Sequence, residues 1–267
     1  MVPMVALGRV RLHYEERGAG TPVLGVHGSP GSAALWQDAA RDLGRHGRCI
    51  TYDRRGFGRS PLPDGTSALD LDDHVDDALA LLDALAARPA VVVGRSTGGL
   101  VALALALREP EAVLGLALLE PTVVTLDRVA SAWTTRQRER VFAAEAAEPG
   151  SAARAVVVDA LGEGVWEAWP SQVRDVLTRS SAAVLAEARG EGLDLSPKPL
   201  VVDPDALAAL PMPVLLVSGE DSPTPLRAVV ARLATAMPDA MSFVVPGGHL
   251  IDPAHPEILA FVDRLTV

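Results

Sequence analysis

The stretch Ala90-Val91-Val92-Val93-Gly94-Arg95-Ser96-Thr97-Gly98 decides the fold. A β-branched run leads into a G-x-S-x-G pentapeptide, and an Ala/Leu-rich run up to Leu107 follows it. The first run favours a strand and the second a helix, so a sharp turn must join them. A serine at the tip of such a turn is held clear of its own backbone and exposed to a substrate. Small residues at both flanks let strand and helix approach closely enough to make the turn. With 23 glycines in the chain the pentapeptide alone is a weak pattern, and its weight comes from the strand before it and the helix after it.

Outward from this turn, strand and helix patterns alternate. Val5 to Glu16 reads as a hairpin turning near Gly8, Val23 to His27 as a short buried strand, and Ser32 to Arg45 as a helix. Cys49 to Tyr52 is a strand, Leu69 to Ala87 a long amphipathic helix, Val113 to Leu119 another strand. Such a succession predicts an α/β fold, a mostly parallel central sheet flanked by helices. The rhythm breaks between Pro121 and Leu210, where helical patterns dominate and Trp133, Trp166 and Trp169 fall. It resumes with a strand at Val214 to Val217, a helix at Pro225 to Ala236, a strand at Ser242 to Val245 and a helix from Pro253 to Leu265. The expected organisation is a core of residues 1–120 and 211–267 with a helical cap, 121–210, inserted over the strand ends.

Composition bounds the function. At 267 residues the chain can bury a full core, and 49% hydrophobic with 22% charged residues is ordinary globular usage. A formal charge of -10 disfavours nucleic acid and anionic membrane surfaces as partners, and suits a neutral or cationic small molecule. Cys49 is the single cysteine, so an internal disulfide is impossible and C-x-x-C metal or redox patterns do not arise. Met1 to Val5 lacks the basic-then-apolar pattern of a leader, and no apolar run reaches the roughly 18 residues of a membrane span. A cytoplasmic protein without metal or cofactor is expected. Asp70, Asp72, Asp73, Asp76 and Asp77 sit at a helix start, where they compensate the dipole and solvate a face rather than hold a metal. The sequence leaves the oligomeric state open, a homodimer included.

In an open parallel sheet, sites form at the carboxyl ends of the strands. There this chain places His27-Gly28-Ser29-Pro30-Gly31, Asp53 to Ser60, the turn at Ser96, Glu120, Gly219-Glu220-Asp221-Ser222-Pro223, and Gly247-Gly248-His249. A serine, a carboxylate and a histidine on one edge are the inventory for nucleophilic acyl transfer. Of the six histidines, His249 alone follows a glycine pair at a strand end, where an imidazole can swing to the serine. His27 is read as holding its loop, His255 as part of the final helix, and His13, His46 and His74 as surface residues. Asp53, Arg54 and Arg55 are read as pinning a glycine turn through ion pairs, and Arg95 as pointing away from the pocket.

HGSPG, DRRGFGRS, GRSTGG and PGGH occur in the order and spacing of the α/β-hydrolases, which the chain resembles over nearly its whole length. The resemblance implies Ser96 as nucleophile, His249 as base, and the backbone N–H groups of Ser29 and Thr97 as the oxyanion hole. It leaves two places for the acid. Many members carry it three residues beyond the glycine after the next-to-last strand, and here that residue is Ser222, with Asp221 one position off. Glu120, after the strand that follows the nucleophile's helix, is the other placement and the preferred one. Tyr14-Glu15-Glu16, Leu119-Glu120-Pro121-Thr122, Ser222-Pro223-Thr224-Pro225 and Pro246-Gly247-Gly248-His249 are similar to fungal zearalenone lactonases, although the nucleophile region differs. The expected activity is hydrolysis of an ester or lactone of a hydrophobic small molecule. Carbon–carbon bond hydrolysis and cofactor-free perhydrolysis use the same triad, and a ligand-binding receptor of this fold is the rival outside enzymes. A serine at position 96 excludes the branches that need an aspartate there.

Overall fold

A computed structural model describes residues 3–266; Met1 and Val2, the start of the N-terminal stretch read above, and Val267 lie outside the described residues. The strands are β1 (Met4–Leu7), β2 (Val10–Arg17), β3 (Pro22–Val26), β4 (Arg48–Tyr52), β5 (Ala90–Arg95), β6 (Val113–Leu119), β7 (Val214–Gly219) and β8 (Met241–Val245). They form one sheet in the order β1-β2-β4-β3-β5-β6-β7-β8. Pairs β1/β2 and β2/β4 are antiparallel, and every other pair is parallel. The α-helices of the core are α1 (Gln37–Leu43), α2 (Leu71–Ala84) and α3 (Thr97–Arg108). Between β6 and β7 lie α4 (Arg128–Ala147), α5 (Ala152–Leu161), α6 (Glu163–Ala168), α7 (Ser171–Thr178), α8 (Ser181–Glu187) and α9 (Pro204–Ala208). Two more, α10 (Thr224–Ala236) and α11 (Pro256–Asp263), close the core.

Alternation along the strands sorts the core into two layers. Leu24, Val26, Val92, Leu116 and Leu118 pack with residues of α2, α3 and α10 on one face. Val23, Val91, Val93, Ala117 and Leu119 pack with Trp36, Ala40, Leu43, Ile258 and Phe261 on the other. Both faces of the central strands are covered, which is why these segments read as continuous apolar runs. Ala155 to Val158, a β-branched run inside a helical context, lies in α5.

Chain direction across the sheet reverses at β3: β4 pairs one of its edges and β5 the other. A crevice therefore opens at the carboxyl ends of β3 and β5, the switch point where ligands bind in such sheets. The first turn of α3 is packed hard into this point. A Cβ on Gly98 would collide with the carbonyl oxygens of Val26 and His27, and one on Gly99 would come within 2.9 Å of the Pro121 Cβ.

Several expectations change. His13 and His74 are 1% and 0% exposed rather than surface residues. His13 Nδ1 lies 3.0 Å from Asp53 Oδ2, and His74 Nε2 lies 2.9 Å from Glu187 Oε1. A single polar residue on an amphipathic element carries no sign of which side it faces, which is why sequence placed both wrongly. His255 stands before α11 as its N-cap, accepting the Glu257 N–H. The arginines are ion-paired, but not with Asp53: Arg54 pairs with Glu187 and Arg55 with Asp73 and Asp77. Asp53 instead accepts the backbone N–H groups of Ala33 and Arg59. Within the acidic stretch, Asp73 accepts the Asp70 N–H, Asp70 accepts that of Glu191, and Asp72 and Asp76 pair with Arg108.

Substituting Gly98→Ala should destabilise the fold by roughly 1–3 kcal/mol or more, because the carbonyls it meets belong to backbone that cannot swing aside. A denaturant midpoint equal to that of the unmodified protein would contradict the packing described.

Candidate active site

Ser96 occupies the N-cap of α3 with φ 57° and ψ -127°. A non-glycine residue there is strained by on the order of 1–3 kcal/mol, and the strain lifts its side chain off the strand–helix turn. Gly94 permits the tight return, since a Cβ there would strike the Gly98 backbone. Gly28, on the neighbouring loop, approaches so closely that an added Cβ would sit 3.0 Å from the Ser96 Cβ. Thr97 takes the first position of α3, where its N–H has no intrahelical acceptor.

Glu120 follows β6 at φ 45° and is fully buried. Its Oε1 accepts from the Ser218 hydroxyl at 3.0 Å and the Gly219 N–H at 2.8 Å. Its Oε2 accepts from the Ser222 hydroxyl at 2.9 Å and faces His249 Nδ1 at 2.6 Å. Burial alone would raise its pKa, but the bond and charge of His249 and the Gly219 and Ser222 donors outweigh it, and the carboxyl is held below its ordinary value. An ionised carboxylate only accepts, so His249 Nδ1 is the donor in this contact, and in the neutral imidazole Nε2 then presents the lone pair. Asp221 is exposed, its backbone N–H tied to the Gly247 carbonyl, and it takes no place among these contacts. Ser222, where many relatives place an acid, donates to Glu120 instead.

Ser96 and His249 line one cavity of about 300 Å³ together with Gly28 and Ser29. Its far wall comes from the helices between β6 and β7: Trp133, Val156, Val157, Trp169, Val173 and Leu177. Trp166 supports that wall from behind, its ring edge-on to Trp169 at 6.2 Å. Arg95 lines the cavity too, against the expectation that it points away from it, with its guanidinium on the Ile251 carbonyl at 3.2 Å and over the Trp36 ring. Burial lowers its pKa to about 10, which leaves it cationic at neutral pH.

Two carboxylates missed in the sequence complete the surroundings. Glu187, at the end of α8, accepts the Ser29 hydroxyl at 2.5 Å and pairs with Arg54 at 2.6 Å. Burial pushes its pKa up, yet Arg54, His74 and Ser29 together bring it to about 2. Arg54 also donates to the carbonyls of His27 and Gly28, so this buried cluster fixes the glycine-rich loop. His27, kept neutral by burial and by Arg54, completes it with Nε2 accepting the Arg54 N–H. Asp194 lines the cavity and accepts the Thr97 hydroxyl at 3.2 Å. Burial, with the charge of Glu187 adding to it, raises its pKa to about 6. Each sits alone in an apolar context, Leu185-Ala186-Glu187-Ala188 and Leu193-Asp194-Leu195, and that isolation was the available signal. Among the described residues no group of three His, Cys, Asp or Glu side chains could hold a metal ion, and no helix is long and apolar enough to cross a membrane.

Comparison with known proteins places the fold. The family model described as alpha/beta hydrolase fold matches residues 21–252. The chain is 29% identical over 265 residues to 2-(acetamidomethylene)succinate hydrolase of Mesorhizobium japonicum, an alignment covering 95% of this chain and 90% of that one. It is 37% identical to the uncharacterized hydrolase YraK of Bacillus subtilis over 115 residues, covering 43% of this chain and less than half, 42%, of its relative. Among solved structures, a thermophilic esterase from Thermogutta terrifontis superposes with a TM-score of 0.74 at 27% identity, covering 97% of this chain and 95% of the other.

Asp194 has a raised pKa, so between its ordinary value and about 6 the folded state binds more protons than the unfolded one, and stability falls as pH rises through that window. Asp194→Asn should therefore raise Tm at pH 7.5, by roughly 2–4 °C per kcal/mol gained. The gain should fade towards pH 4. A Tm difference independent of pH between 4 and 7.5 would contradict the assignment.

Proposed function

The chain belongs to the α/β-hydrolase fold family, and on that premise we propose that it is a serine hydrolase cleaving a carboxylic ester or lactone of a hydrophobic small molecule through an acyl-enzyme. The observation that carries the reading is the 2.6 Å contact between His249 Nδ1 and a buried, fully hydrogen-bonded Glu120, at the edge of the cavity that Ser96 lines. Ser96 Oγ attacks the carbonyl carbon while His249 Nε2 takes its proton. Glu120 orients the imidazole and stabilises the imidazolium without taking its proton. The oxyanion is met by the N–H groups of Ser29 and Thr97, donors worth roughly 3 kcal/mol each. His249 returns the proton to the leaving alkoxide, and a water activated by the same imidazole then releases the acid and regenerates Ser96.

The apolar wall supports a hydrophobic substrate, and about 300 Å³ fits the small end of ligand pockets. The similarity to an esterase at 27% identity supports an ester substrate. Helices α4 to α8 act as the cap that excludes water and sets specificity.

A fluorophosphonate probe should label the protein stoichiometrically, with labelling lost in Ser96→Ala. Unlabelled wild-type protein would overturn the reading in favour of a binding protein of this fold. A panel of ester, lactone and diketone substrates then separates the bond types, with turnover expected on the first two.

A further inference from the structure

Five polar side chains line the cavity besides Ser96 and His249: Ser29, Arg95, Thr122, Gln137 and Asp194. Arg95 is engaged by a carbonyl and an aromatic face, Ser29 donates to Glu187, and Gln137 Nε2 donates to the Val156 carbonyl at 3.5 Å. Thr122 and Asp194 are served less well. Asp194 is 9% exposed, accepts the Thr97 hydroxyl at 3.2 Å and its own backbone N–H, and has no ion pair to a cation among the described residues. Glu187 differs sharply: a guanidinium, an imidazole and a hydroxyl all serve it. An ionised carboxylate accepts up to about four hydrogen bonds, so Asp194 retains unused capacity in the cavity it lines. Keeping such a group buried opposes stability, and groups of that kind concentrate where a ligand completes them.

Thr122 adds an independent sign. It is 3% exposed, lines the same cavity, and its Oγ1 has no partner among the described residues. Both residues touch the nucleophile's immediate neighbourhood. The Thr122 N–H reaches the Ser96 carbonyl at 3.4 Å, and Asp194 receives the hydroxyl of Thr97, the next residue along. A substrate whose carbonyl meets Ser96 therefore brings its adjoining atoms towards the unpartnered Thr122 hydroxyl and the sparsely served Asp194 carboxylate.

We propose that Asp194, with the Thr122 hydroxyl beside Ser96, forms a substrate subsite that takes a hydrogen-bond donor, a hydroxyl or an ammonium, carried close to the scissile carbonyl. The subsite rests on the hydrolase reading above and gives it a substrate class: apolar esters or lactones bearing one such donor. A carboxylate-bearing substrate is disfavoured at this point, because the unpaired Asp194 carboxylate would repel it and the protein's overall charge is -10. Asp194, whose pKa of about 6 leaves it mainly ionised at pH 7, accepts from the donor, while Thr122 can donate to a lone pair on the same substrate.

The test uses benzyl butanoates carrying a hydroxyl, an ammonium or a methyl group at carbon 2, 3 or 4, with kcat/KM measured for wild type and Asp194→Asn at pH 7. The read-out is the ratio of the donor-bearing ester to its methyl counterpart. That ratio does not depend on how much of each preparation is folded. At one position or more the wild-type ratio should exceed roughly tenfold, and Asp194→Asn should lower it by roughly tenfold or more, the loss expected for a hydrogen bond to a charged group. Wild-type ratios near one at every position, or ratios unchanged by Asp194→Asn, would overturn the proposal and leave Asp194 acting only through Thr97. If no ester is turned over, the hydrolase reading fails separately. The subsite is then judged by calorimetric affinities of the same esters for Ser96→Ala and Ser96→Ala/Asp194→Asn, where an equal affinity ratio in the two variants overturns it.

Discussion

A carboxylate with no exposed surface must have its lone pairs filled, and at Glu120 that requirement organises the carboxyl edge of the sheet. Its four donors come from three places: β7 supplies Ser218 and Gly219, the loop after it Ser222, and the loop after β8 His249. The strand ends must therefore stay in register, β6 beside β7 and β7 beside β8, for the charge to remain satisfied. Removing one donor from such a group costs more than a typical hydrogen bond yields, because the remainder stays buried. The arrangement also explains the residues around it. Where many relatives carry the acid in the loop after β7, this chain has Ser222, and its hydroxyl serves Glu120 rather than replacing it.

The second layer of carboxylates works by contrast. Glu187 is saturated, with Arg54 and His74 beside it and the Ser29 hydroxyl on its other oxygen, and its pKa is brought to about 2. Asp194 has one hydroxyl partner and a pKa of about 6. The same burial thus gives a structural ion pair in one case and an unsatisfied acceptor in the other, with the difference set by partners rather than by depth. Both carboxylates come from the segment between β6 and β7, and each grips a hydroxyl next to a backbone N–H of the proposed oxyanion hole. Loop and helix start are thereby tied to the inserted helices.

Much of this was legible in the sequence, for reasons that differ by element. The β-branched run before Gly94 and the Ala/Leu run after Gly98 encode a strand and a helix independently of context, so the turn at Ser96 followed. Two-sided burial of β3, β5, β6 and β7 left unbroken apolar stretches, which gave the sheet. Individual polar side chains were less legible. Whether His13 or His74 faces core or solvent depends on partners far along the chain, Asp53 for one and Glu187 for the other. Arg54 was read with its sequence neighbour Asp53, whereas its counter-charge lies 133 residues away. Glu187 and Asp194 gave only the weak sign of single acids among apolar residues.

The central claim is that Glu120 supports His249, and side-by-side kinetics of Glu120→Gln and Asp221→Asn on one hydrolysed ester test it most directly. Active sites would be counted by fluorophosphonate titration. Glu120→Gln should lower kcat by roughly 10^4-fold, the scale seen when a triad acid becomes an amide. Asp221→Asn, exposed and outside the network, should stay within roughly threefold of wild type, as surface changes do. Loss of turnover in Asp221→Asn with Glu120→Gln spared would contradict the account.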